Sequence, residues 1–251
     1  MRRETRSPVR TVTIYILIFI LGIIVGNQIL IPSKPTQQLA PLPVQNYSAS
    51  ANILAVKSND NSGVLGKVTV EIYPGKGRVL MNTNPFLEPD TQFSAETAVN
   101  VAEDYTKKDL SDKDVIISFD IGGQLLGGPS AGAAMTAATV AAIEEKQVKE
   151  DVAITGTIKS TGEIGVIGGV IEKAQAAADN EIKLFLVPED LLYLTYYERE
   201  IKKQQIGPGF YIQRVYYVPK KLDLNNYTMS EFDMETKGVS TVGDVVMYML
   251  E

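Results

Sequence analysis

The sequence predicts an α/β fold of the α+β type, one domain on a mixed sheet, carried by a single N-terminal transmembrane helix. Three observations predict it. Short β-branched runs at 64–73, 114–119 and 183–187 alternate with alanine-rich stretches of helical period. Hydrophobic residues make up 45% of the 251 and charged residues 22%, the balance of a chain that buries a core. Residues 11–31 carry no charge and lie between an arginine-rich start and a proline-rich stretch.

Residues 1–10 hold Arg2, Arg3, Arg6 and Arg10 against Glu4, and the first cation after the apolar stretch is Lys34. As a helix, 11–31 would be about 30 Å long, one bilayer core. It shows none of the polar face that a soluble helix keeps. The nearest small-x-small pattern ends at Ala40 before Pro41, a poor context for signal cleavage. The positive-inside rule then puts residues 1–10 in the cytoplasm and the rest of the chain on the outer side of the cell membrane. Residues 32–50, with Pro32, Pro35, Pro41 and Pro43, form an extended tether in this reading. The domain occupies 51–251.

Within the domain, 64–73 alternates as a strand does, Pro74 to Gly77 turn the chain, and 78–82 returns as the second arm of a hairpin. Residues 94–105 predict a helix with Ala98, Val101 and Ala102 on one face and Ser94 as its cap. A strand at 114–119 leads through a glycine-rich loop, 121–128, into a strong helix over 131–146 whose small residues permit close packing. A strand over 151–158, a glycine-punctuated loop over 159–169, a second alanine-rich helix over 170–180 and a strand at 183–187 follow. The tyrosine-rich stretch 191–227 has no clear period. Core packing or a subunit contact is its plainer reading, a hydrophobic substrate groove the sharper one. Residues 241–250 predict a closing helix.

Composition excludes several chemistries. The net charge is −6, from 24 Lys and Arg against 30 Asp and Glu, so a nucleic-acid partner, which needs a basic face, is not expected. The chain has no Cys, which removes disulfides, thiol nucleophiles and cysteine-ligated zinc. It also has no His, so a Ser-His-Asp triad is impossible and the commonest metal ligand is missing. No metal site and no cofactor is expected. Acid–base work falls to Lys, Asp, Glu or Tyr.

Two segments carry chemistry. Gly127-Gly-Pro-Ser130-Ala-Gly132 lies where a loop enters the 131–146 helix. Backbone N–H groups at a helix start are unpaired and sit at its positive end, so they can hold a developing oxyanion. Gly128, Ala131 and Gly132 are small enough to let a substrate backbone approach. Taken alone, Ser130 reads as a helix cap before it reads as a nucleophile. The second segment is Gly168-Gly-Val-Ile-Glu-Lys173, opening an otherwise apolar helix. A lysine desolvated there would lose its proton more readily and could serve as a base. An ordinary solvated lysine is the alternative.

Together these segments resemble the proteolytic domain of the Lon proteases. The resemblance rests on Gly128-Pro-Ser-Ala-Gly-Ala-Ala-Met135, Asp151-Val-Ala-Ile-Thr-Gly156, Gly162-Glu-Ile-Gly-Val-Ile-Gly-Gly-Val170 and Glu172-Lys173, over about residues 68–190. It implies that Ser130 is the nucleophile, Lys173 its general base, and Thr155 a hydroxyl that positions the lysine amine. It also implies a homo-oligomeric ring, six-fold in homologous domains. Departures exist. The sequence holds no G-x-x-x-x-G-K-[ST] phosphate loop, Gly127 stands where many members carry an acid, and Val166 replaces a common proline. The function expected is a membrane-anchored, ATP-independent serine endopeptidase acting on peptides or unfolded proteins through an acyl-enzyme. A catalytically silent tethered binding module and a maturation protease that cuts its own tether are the alternatives.

Overall fold

In the computed structural model, residues 8–29, 47–82, 84–122 and 125–251 are described, with backbone alone at 8–11, 24–29 and 125–126. The chain divides into two compact units, Met1–Pro43 and Val44–Glu251. The expected cytoplasmic segment before Pro8 and most of the tether lie outside the described residues.

The first unit contains α1, Pro8–Ile29, a 22-residue helix. Its described side chains, 12–23, are all exposed, from Ile20 at 46% to Phe19 at 71%. Among the described residues no helix is long and apolar enough to cross a membrane.

The second unit is built on a seven-stranded mixed sheet. It opens with β1 (Tyr47–Val56), which pairs antiparallel with β2 (Gly63–Pro74) from Tyr47 opposite Ile72 to Val56 opposite Gly63. The expected tether therefore ends before residue 47, and 47–50 belong to the sheet. The reason is visible in the side chains: Ala49, Ala51 and Ile53 are buried on one face despite the polar look of Tyr-Ser-Ala-Ser. Next come β3 (Arg78–Met81), the short β4 (Phe86–Leu87), α2 (Pro89–Thr106) and β5 (Lys113–Asp120). The helix α2 starts at Pro89, not at Ser94. A proline fits the first helical position because its missing N–H would be unpaired there anyway, and Ser94 lies buried in the helix.

A two-residue strand β6 (Leu125–Leu126) pairs with β4, and α3 (Gly132–Glu144) follows. Eleven consecutive residues of α3, from Gly132 to Ala142, are buried, which makes it a central helix apolar on all sides. The expected strand 151–158 is two elements: β7 (Val152–Ile154) in the main sheet and β8 (Thr157–Ile158) paired with β9 (Ile164–Gly165). Then come α4 (Val170–Asp179), β10 (Leu184–Pro188), the long β11 (Tyr193–Gly207) and β12 (Phe210–Asp223), α5 (Leu224–Phe232), β13 (Glu235–Val239) and α6 (Val242–Met249). Thr241 and Asp244 cap α6 reciprocally, as a capping box.

The sheet order is β13-β10-β7-β1-β2-β5-β3, parallel from β13 to β1 and again between β5 and β3. Successive residues on a strand point to opposite faces, and the core divides accordingly. Ile53 and Leu186 join α2, α3 and α6 in one cluster, while Leu54, Ala153, Phe185 and Val187 join α4 and α5 in the other. The fold is thus an α/β/α sandwich. At the sheet edge, Asp114 is held by Arg78 in an ion pair and by the backbone N–H groups of Lys76 and Arg78. Hydrogen bonding from the Arg78 guanidinium holds its carboxyl well below the usual carboxylate range.

In segment 191–227, core packing is corrected for the tyrosines of β11 and β12, whereas Leu191, Leu192, Leu194 and Tyr227 do pack against the second core cluster. β11 and β12 form a separate two-stranded ribbon, and their tyrosines are exposed rather than packed in the core. None of them lines the large cleft described next.

Candidate active site

The parallel strands β1, β7 and β5 all point their carboxyl ends to one side of the sheet. Ligand crevices in open α/β sheets form at such ends. A cleft of about 1410 Å³ opens there, lined among others by Val56, Lys57, Glu88, Ile121, Gly128, Ser130, Val166, Glu172 and Lys173.

Ser130 reaches this cleft on a tight 3₁₀ turn, Pro129–Ala131, that precedes α3. Gly128 enters the turn at φ 85°, a conformation that a residue with a Cβ rarely adopts. Neither the turn nor α3 has a side-chain cap, and the Ser130 hydroxyl makes no hydrogen bond among the described residues. The capping role that its position suggested is therefore not performed. The serine is half-buried, with its hydroxyl uncommitted.

Lys173 arrives from the opposite layer, on the first turns of α4. It is 4% exposed, and its Nζ donates a hydrogen bond of 3.1 Å to Thr155 Oγ1. Burial pushes the amine down to about 8 from its ordinary 10.5, because the charged form loses more solvation than the neutral one. The solvated-lysine alternative does not describe this side chain. Thr155, fully buried, is the first residue beyond β7.

The break between β7 and β8 is what joins the two walls. The Thr155 N–H still bonds Leu186 O at 3.0 Å, but the Gly156 N–H turns to Ser130 O at 2.9 Å. Gly156 O in return accepts from the Ala133 N–H at 3.0 Å. The Ser130 backbone is thus laced directly to the residue after Thr155. Gly132 must be small for the same reason. A Cβ there would lie 2.7 Å from Ile158 Cγ2 and 2.8 Å from the Ile158 nitrogen.

Of the three residues expected to hold oxyanion or substrate, only Gly128 lines the cleft. Ala131 is buried, and the Gly132 N–H donates to Pro129 O in the first turn, so it is not free for an oxyanion. The sequence reading missed Glu88. Its carboxylate occupies the space where a side chain on Gly127 would begin, and it lines the cleft beside Ser130. The acid absent at 127 is replaced in space by one 39 positions earlier, with no local sequence signal.

Residues 62–193 match the model of the Lon protease (S16) C-terminal proteolytic domain, slightly more than half of the chain. The chain belongs to the Lon protease family. It is 32% identical over 172 residues to the Lon protease of Fusobacterium nucleatum, covering 61% of this chain and 22% of that protein. Against Lon protease 1 of Hydrogenovibrio crunogenus the identity is 34% over 165 residues, 62% of this chain and 20% of that one. The archaeal Lon protease of Archaeoglobus fulgidus is 30% identical over 130 residues, 51% and 20% respectively. The chain spans about a fifth of the length of these relatives. The matched Lon region contains Ser130, Thr155 and Lys173 together with most of the cleft.

Proposed function

We propose that this Lon-type domain is a serine endopeptidase working through Ser130 and Lys173. The observation that carries the reading is the buried Lys173 amine, lowered to about 8 and held by Thr155 on the same cleft as an uncommitted serine. A neutral amine can accept the Ser130 proton as the oxygen attacks a peptide carbonyl, and can return it to the leaving amine. Backbone N–H groups around Ser130 stabilise the oxyanion. Water then releases the acyl group from Ser130 by the same proton route. Thr155 acts as the positioning residue, because it fixes where the lysine lone pair lies.

The cleft lining includes Val56, Ile121, Val166 and Ile167, which suits apolar side chains of an extended peptide. With no phosphate-loop motif among the 251 residues, cleavage of unstructured substrates proceeds without ATP in this reading. The family supports a homo-oligomeric ring as the working form. The arginine-flanked apolar stretch supports anchoring in the cell membrane, N-terminus inside and domain outside. Incubating the purified chain in detergent with unfolded casein, beside Ser130→Ala, tests the enzyme reading. Cleavage by the wild type alone is expected; equal cleavage by both, or by neither, sinks it.

A further inference from the structure

The ribbon of β11 and β12 takes no part in the cleft, yet its two faces are chemically unequal. Directly opposed residues in an antiparallel pair share a face. One face carries Glu198 and Glu200, the only acids between Tyr193 and Leu222, and both have counter-ions there. Lys220 lies 3.7 Å from Glu198 and Lys202 lies 4.0 Å from Glu200, with Lys202 also over the Tyr216 ring. The other face pairs Tyr197 with Pro219, Arg199 with Tyr217, Ile201 with Val215 and Gln205 with Tyr211. Lys203 and Lys221 complete it. Between Thr195 and Lys221 that face has three cations and no acid.

Its aromatic groups stand in solvent: Tyr197 and Tyr217 are each 66% exposed and Tyr211 62%. The whole ribbon from Tyr193 to Leu222 carries six cations against two acids, in a chain of net charge −6. Tyrosine rings and aliphatic groups interleaved with unpaired Lys and Arg are the composition of a membrane interface, where rings sit at headgroup depth and cations meet lipid phosphates.

We propose that this face of the ribbon lies on an anionic phospholipid surface. The inference rests on the anchored reading of α1. The 17 residues between α1 and β1 reach at most about 60 Å, and a 15-residue strand is about 50 Å long, so the tether keeps the ribbon within reach of the bilayer that holds the chain. The ribbon then fixes the height and tilt of the cleft over the membrane, so that extended segments close to the surface are the substrates it meets first.

The chain has no Trp, so Tyr211→Trp places a single indole on this face. The full chain is reconstituted in vesicles of acyl-brominated phosphatidylcholine, with or without one-third phosphatidylglycerol. Indole quenching is expected to be stronger in the anionic vesicles and to fall back in about 0.5 M salt, where charge attraction is screened. Adding R199Q, K203Q and K221Q should abolish the difference, since each surface cation contributes roughly a fivefold factor to lipid attraction. Equal quenching in both lipids, or none, overturns the proposal. So does indole shielding that grows with protein density in phosphatidylcholine alone, which would mean that a second copy covers the face. Co-flotation with phosphatidylcholine vesicles at high salt reads the anchor separately. If flotation fails, anionic vesicles added to the chain in solution still test the ribbon.

Discussion

At the scale of single residues, the site depends on one unfavourable burial. A lysine ordinarily protonated up to 10.5 is held at about 8 in the folded chain. Below pH 8 the folded state therefore holds a charged amine short of water, at a cost of about 3 kcal/mol relative to the unfolded chain. Unfolded chain binds that proton up to 10.5, so stability gained by removing the amine is fully present below pH 8 and shrinks as pH rises towards 10.5. Lys173→Met should accordingly unfold at higher denaturant than wild type at pH 7, with the gap much narrower at pH 10; chemical denaturation at both values measures it. Thr155→Val removes the only hydrogen-bond partner of Nζ among the described residues. It should lower kcat about 10- to 100-fold and alter the pH profile, with Thr155→Ser restoring both. Asp114 has the opposite sign. Its pKa is depressed by the Arg78 side chain, so its contribution is present above the usual carboxylate range and lost as pH falls. Asp114→Asn should lower the melting temperature at pH 7, with the deficit shrinking as pH falls below the usual carboxylate range.

At the scale of elements, the decisive feature is a strand that stops early. β7 ends at Ile154 so that Thr155 faces Lys173 and Gly156 bonds Ser130. The alternating run from Asp151 to Ile158 hides this break, because Thr-Gly is compatible with a continuous strand and only the tertiary partners of Gly156 pull the chain away. Gly132→Ala tests the joint: its Cβ must displace Ile158 or Ser94, costing about 1–3 kcal/mol and most of the activity. Thermal melts and casein cleavage read the two effects together.

Ser130 and Lys173 were legible only through the ordered glycine-flanked motifs that resemble the Lon domain; taken alone, Ser130 reads as a cap and Lys173 as a solvated lysine. The helices over 131–146 and 170–180 were also legible, each within two residues of α3 and α4 at its ends. Other parts were not. β1 begins in Tyr-Ser-Ala-Ser, too polar to signal a buried strand. The ribbon lacks a period because neither of its faces is buried, and burial is what creates alternation. Glu88 reaches Gly127 through the fold alone.

At the scale of the whole molecule, the proposed anchor and tether would confine the proposed peptidase to a surface. Hydrolysis of an unstructured peptide by the purified chain should be indifferent to ATP and Mg²⁺, while a stably folded substrate resists; rates with and without nucleotide decide this. Protease added to intact cells should digest the domain but spare a tag at residue 1. An accessible tag with a shielded domain would reverse the orientation drawn from Arg2, Arg3, Arg6 and Arg10.

The most direct test of the central claim is the pH–rate profile of peptide hydrolysis for wild type beside Lys173→Arg. If Lys173 is the base, wild-type kcat/KM rises along one ionisation near 8, and the folded Lys173→Arg chain, which keeps the charge but cannot release its proton, is inactive. Near-wild-type turnover by Lys173→Arg would contradict the account.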